Sequence, residues 1–122
     1  MDSLKLKVEL NELYNLLEFI EKHYQEDIKT ELAVEEIFVN IVNYSNADYI
    51  IVNVEYDDYL TMEFIDNGIK FDPTTQTEYK NPKTIEETPI GGLGILLVKN
   101  YADELTYNRV NNENHLKIIK KD

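Results

Sequence analysis

The stretch ELAVEEIFVNIVNYSN, from Glu31 to Asn46, decides how the rest of the chain is interpreted. With about 100° between successive residues of a helix, apolar side chains cover most of its circumference: Ala33, Val34, Ile37, Phe38, Ile41 and Val42. A helix of this kind belongs in a protein core. Glu36, Asn40 and Asn43 nevertheless share an arc of roughly 60°, and buried polar groups are costly unless they are paired. These three polar side chains therefore either form a hydrogen-bonded network within the core or line the floor of a site for metal and phosphate.

Composition and charge exclude several classes of protein. A chain of 122 residues, 43% of them hydrophobic, predicts one domain with its own core over residues 1–122. The absence of cysteine removes disulfide scaffolds, cysteine-containing zinc sites and thiol nucleophiles. The net charge of −12 argues against direct binding of nucleic acid or an anionic membrane surface. With no signal peptide or membrane span in the sequence, we expect a cytoplasmic protein.

The periodicity of the remaining segments predicts the fold class. Leu4 to Leu10 alternates as a half-buried strand does, and Asn11 is expected to cap a helix that runs to about residue 25. The helix containing Glu36 is expected to begin near Asp27. Further strands are predicted at Tyr49–Glu55, Tyr59–Ile65, Thr106–Val110 and His115–Ile119, the last two turning at Asn111 to Asn114. Since these strands form hairpins, we predict an α+β two-layer sandwich with a mixed, mostly antiparallel sheet backed by about three helices.

Two glycine-containing segments have both a plain and a functional interpretation. Gly91 to Gly94 directly precedes an apolar helix, Ile95–Ala102; glycine often turns a chain into a helix, but N–H groups at a helix start also hold phosphate. Asp66-Asn67-Gly68 is ordinary turn chemistry, but an aspartate ending a buried strand could also accept a hydrogen bond from an exocyclic amine. Between them, residues 72–90 show no regular spacing of apolar residues that would predict a helix or a strand. An irregular segment of that length favours a lid over a simple connector.

Taken in order, three motifs resemble those of the GHKL ATPases, most closely the anti-sigma-factor serine/threonine kinases. Glu36-Ile-Phe-Val-Asn40 is similar to the N box, Asp66-Asn67-Gly68 to the aspartate box, and Gly91-Gly92-Leu93-Gly94 to the glycine box. The resemblance covers nearly the whole chain. It implies a Bergerat-type ATP-binding fold with ATP and Mg²⁺ as cofactors.

The resemblance also implies a role for each motif residue. Glu36 would be the general base, Asn40 would ligate Mg²⁺, and Asp66 would bind the adenine amino group with Gly68 against the base. The remaining expected contacts to the nucleotide are Asn43, Gly92, Leu93 and Gly94.

The implied function is phosphorylation of a STAS-domain anti-anti-sigma protein on a hydroxyl, sequestration of a sigma factor, or both. The alternative is a nucleotide-dependent protein-binding module without phosphotransfer. Two departures favour the alternative: Tyr44 stands where the family often has histidine, and we expect Lys117 where the last strand often has threonine near the adenine. Arg109 is expected at the surface. The resemblance also implies pairing into a homodimer through the first strand and helix.

Overall fold

A computed structural model describes residues 1–25, 27–75 and 92–121 of the chain. Within these ranges, five strands, three α-helices and two short 3₁₀ turns follow one another in the order β1 (Asp2–Leu6), a turn (Leu10–Glu12), α1 (Leu13–Glu21), α2 (Ile28–Tyr44), β2 (Ile50–Tyr56), β3 (Tyr59–Asp66), a turn (Pro73–Thr75), α3 (Gly92–Tyr101), β4 (Glu104–Val110) and β5 (Glu113–Lys121). The predicted α+β fold is confirmed. Apart from the turn at Pro73–Thr75, the predicted lid lies largely outside the described residues.

The sheet has the strand order β1-β2-β3-β5-β4, and all four pairs of neighbours are antiparallel. The β4–β5 hairpin turns through two residues, Asn111 and Asn112, with φ of 51° and 62°. Asparagine tolerates this left-handed backbone, which a tight hairpin of this type requires. The turn is therefore shorter than predicted, and Asn114 is a strand residue that pairs with Asp66 of β3.

The core lies between the helices and one face of the sheet. Alternate residues of the neighbouring strands β2 and β3 point into it: Ile50, Val52, Val54, Leu60, Met62 and Phe64. Helix α2 supplies Val34, Ile37 and Phe38 from the opposite side, as its apolar circumference predicts. No helix in the described ranges is long and apolar enough to span a bilayer.

The first thirty residues differ most from the sequence-based prediction. Strand β1 ends at Leu6, because its pairing with β2 ends at Ile50 and the Lys7 N–H then donates to Glu12 at 3.1 Å. Asn11 lies inside the 3₁₀ turn and does not cap α1, whose N-cap position is Glu12. The apolar alternation continues past Leu6 because Val8 still packs on the core.

Candidate functional site

A cavity of about 380 Å³ opens between α2, the end of β3 and α3. Its described wall is mostly apolar and includes Ile37, Phe64, Ile69, Phe71, Ile95 and Leu116. Polar side chains interrupt this wall, among them Asn40, Asp66, Lys70 and Asn114. A pocket with apolar walls and a few fixed polar groups suits a flat organic ligand with a polar edge.

Asp66 is the buried carboxylate of this cavity and is only 4% exposed. Its Oδ1 accepts the Gly68 N–H at 2.9 Å and the Asn114 Nδ2–H at 3.0 Å. Burial raises the pKa of the Asp66 carboxyl above 3.8, and these hydrogen bonds, with the charge of Arg109, offset the rise only in part. Since both hydrogen bonds from the described residues end on Oδ1, Oδ2 remains to accept one from a ligand.

Gly68 is required by the close approach of two backbone segments. A Cβ at this position would lie 2.4 Å from the carbonyl oxygen of Ser45, at the end of α2. The same oxygen accepts the Ile69 N–H at 2.8 Å. The glycine therefore lets the loop after β3 lie against α2, which fixes the position of the cavity wall that the loop provides.

Glu36 and Gly94 meet where α2 packs on α3. A Cβ on Gly94 would lie 2.1 Å from Glu36 Oε2, so the glycine makes the space that this carboxylate occupies. Within the described ranges, Glu36 makes no hydrogen bond or ion pair. The two motifs that the sequence separates by more than fifty residues are thus in contact.

Asn40 lies one turn after Glu36 and lines the same cavity as Asp66. Its Nδ2 is buried and has no hydrogen-bond partner in the described part of the chain. A buried amide without a partner is costly in a folded protein, and rotation of the amide by 180° would present its oxygen instead. The amide oxygen is a ligand that Mg²⁺ accepts. This orphaned amide therefore fits a metal-bound phosphate.

A family model described as the histidine kinase-like ATPase domain matches residues 12–120 of the chain. The chain belongs to this family. Membership confirms the resemblance to the GHKL superfamily and implies ATP binding, generally with Mg²⁺. A search of curated proteins found no significant match.

The remaining predicted site residues of this histidine kinase-like ATPase domain are Asn43, Gly92 and Leu93. Asn43 is exposed and does not belong to the described cavity wall. Gly92 and Leu93 lie in the first turn of α3, next to Gly94. A nucleotide contact by any of these three residues stays a prediction.

Two expectations for the last hairpin of the ATPase domain are wrong. Lys117 is exposed and pairs with Glu63 in the sheet, so it points away from the cavity. The β5 residue opposite Asp66 is Asn114, which is 6% exposed. Arg109 is not a free surface residue, since its Nη1 donates to the Gly68 carbonyl at 2.8 Å and to Asn114 Oδ1 at 3.1 Å.

A signal for Asn114 is present in the sequence. Leu116 and Ile118 alternate as core residues, and the same period of two extended backward places Asn114 on the buried face. The segment Asn111-Asn112-Glu113-Asn114 hid this signal, because it resembles a four-residue turn.

Proposed function

We propose that the chain is an anti-sigma-factor-type serine/threonine kinase that uses ATP and Mg²⁺ to phosphorylate a STAS-domain partner, and that it can also hold a sigma factor. One observation carries this proposal: Glu36 lies against Gly94 without a described partner, while Asn40, one turn away, shares a cavity with Asp66. A base, a metal ligand and an adenine acceptor would then face one nucleotide. We further propose that the protein acts in the cytoplasm.

The apolar end of the cavity would hold the adenine. Asp66 Oδ2 would accept a hydrogen bond from the exocyclic amine, and the walls formed by Ile37, Ile69 and Phe71 would pack on the ring. A hydrogen bond to a charged acceptor is worth about 1.5–3 kcal/mol, which is enough to discriminate between bases.

The phosphates would lie at the other end, near the start of α3. Backbone N–H groups of Gly92, Leu93 and Gly94 are in the first turn of this ten-residue helix, where the partial positive charge of a helix favours anions. Asn40 would hold the Mg²⁺, which neutralises phosphate charge when bound. The site therefore needs no cluster of basic residues, in agreement with the acidic chain.

Glu36 would accept the proton of the attacking serine or threonine hydroxyl. Phosphoryl transfer depends mainly on positioning and on neutralised charge, so one well-placed carboxylate is sufficient as a base. The contact with Gly94 holds Glu36 next to the expected phosphate site.

The test is phosphate transfer from labelled Mg-ATP to STAS-domain proteins of the source organism. Wild type should transfer the label, and Glu36→Gln should lose transfer while it still binds ATP. Glu35→Gln is the matched control, because Glu35 is the exposed neighbour on the same helix. If wild type and Glu36→Gln are equally inactive towards a partner that binds, the kinase proposal is wrong.

Tyr44 keeps the second candidate function open. It lines the cavity, is 48% exposed, and differs from the histidine often found in related sequences. The other departure no longer applies, since Lys117 faces away from the site. Tight ATP binding that controls partner binding without transfer would select the nucleotide-dependent binding module. In either case we propose that homodimers form through β1, an edge strand of the sheet.

A further inference from the structure

Asn114 is the most connected polar side chain around the cavity. Its Nδ2 donates to Asp66 Oδ1 at 3.0 Å and to the Ile69 carbonyl at 2.8 Å. Its Oδ1 accepts hydrogen bonds from Tyr107 Oη, from Arg109 Nη1 and from the Phe71 N–H. Both amide protons are used, and the oxygen faces only donors, so a rotated amide would lose every one of these contacts.

Arg109 connects this amide to the loop after β3. One guanidinium nitrogen, Nη1, donates both to Asn114 Oδ1 and to the Gly68 carbonyl. The first contact fixes the amide that holds Asp66, and the second fixes the residue whose N–H holds the same Asp66 oxygen. Arg109 is also the only arginine in the sequence, and its planar group suits two directed bonds better than lysine does.

We infer that Arg109 is a positioning residue for recognition of the nucleotide base: through Asn114 and Gly68 it holds Asp66 with Oδ1 occupied and Oδ2 turned to the exocyclic amine. The inference rests on the proposed binding of ATP. Arg109 would not touch the nucleotide. It would act by removing the alternative orientations of Asp66 in which neither oxygen faces the base.

The electrostatic environment of Asp66 supports the same role. Burial raises the pKa of Asp66 and the nearby Glu113 adds to this rise, whereas the charge of Arg109 lowers it. Arg109 thus favours the ionised carboxylate, which accepts the stronger hydrogen bond.

The test compares two nucleotides that differ by one amino group, ATP and purine riboside triphosphate. Their ratio of affinities measures the hydrogen bond from the amine, and a change of this ratio in a variant measures coupling to that bond. Wild type should prefer ATP by about tenfold, the worth of one hydrogen bond to a charged group. In Arg109→Met the ratio should fall to about threefold or less, and Arg109→Lys should restore part of it.

Two further variants keep the test interpretable. Tyr107→Phe removes a donor to Asn114 but leaves the charge of Arg109, so it should reduce the ratio less than Arg109→Met does. Lys117→Met removes an exposed positive charge from the neighbouring strand and should leave the ratio at the wild-type value.

The outcomes separate this inference from the proposed function. Equal loss of both affinities in Arg109→Met, with an unchanged ratio, would assign Arg109 a structural role only and overturn the inference. A wild-type protein that binds both nucleotides equally would overturn it too, because Asp66 would then not contact the amine. Binding of neither nucleotide by the wild type would refute the proposed function itself.

Discussion

Replacing Gly94 with alanine separates the stability of the fold from its proposed activity. The added Cβ would lie 2.1 Å from Glu36 Oε2, about 0.9 Å inside the 3.0 Å that real Cβ atoms keep. The next two neighbours are also atoms of the Glu36 side chain. Since a glutamate end can rotate, the fold can accept the alanine by moving the carboxylate.

The energies favour this outcome. Moving Glu36 off its preferred rotamer costs about 0.5–1.5 kcal/mol, and alanine is better than glycine in a helix by roughly 0.5–1 kcal/mol. The net change in unfolding free energy should therefore stay within about 1 kcal/mol. Gly68→Ala is the matched comparison, because its Cβ meets the Ser45 backbone at 2.4 Å. That overpacking should cost about 1–3 kcal/mol.

Two assays check the pair. At about 4 °C per kcal/mol for a chain of this size, thermal unfolding should show a midpoint within about 4 °C of wild type for Gly94→Ala. The midpoint for Gly68→Ala should lie about 4–12 °C lower. Phosphate transfer by Gly94→Ala at saturating ATP should fall about 100-fold, as displacement of a reacting group by 1 Å can cause. A stable Gly94→Ala protein with wild-type transfer would refute the placement of Glu36 as the base.

Three further predictions concern single polar side chains. Asp66→Asn should keep the Oδ1 hydrogen bonds and remove a buried charge, so thermal unfolding at pH 7 should show equal or higher stability. Calorimetry should show that its affinity for ATP is reduced at least about tenfold. Asn40→Leu should leave the unliganded midpoint unchanged or higher, because it removes an orphaned amide, but should abolish the stabilisation by Mg-ATP. A hydrogen bond to Asp2 raises the pKa of His23 above 6.5. The contribution of the His23–Asp2 pair to the free energy of unfolding should therefore be complete below about pH 6.5. It should disappear as the pH rises through the folded-state pKa of His23, and this pH dependence should be absent in His23→Ala.

The sequence predicted best where one physical rule dominates. The helix bearing Glu36 and Asn40 and the strands β2 and β3 were located within one or two residues, because burial of an apolar face sets both their period and their ends. The region after Leu6 has no such rule. Val8 keeps the apolar alternation although the backbone has left the sheet, so side-chain burial and strand pairing separate there.

The candidate site was predictable only for residues in recognisable motifs. Glu36, Asn40 and Gly94 follow from the resemblance of their motifs to the N box and the glycine box of the family, and the structure brings them into one region. Asn114 and Arg109 depend on cross-strand pairing, which places position 114 opposite Asp66. That pairing depends on a two-residue turn with both asparagines left-handed, and a turn one residue longer would have sent Asn114 to the other face of the sheet.

The distribution of satisfied and unsatisfied polar groups divides the site into two parts. Asn114 and the Oδ1 of Asp66 are fully engaged, which fixes the base end before any ligand arrives. At the phosphate end, Asn40 Nδ2 and Glu36 have no partner among the described residues. Because an unpartnered buried amide costs free energy that a ligand returns, binding at this end should stabilise the fold more than burial of the base alone. Adenosine should therefore bind more weakly and raise the unfolding midpoint less than Mg-ATP does at the same ligand concentration, and an equal rise would contradict this division.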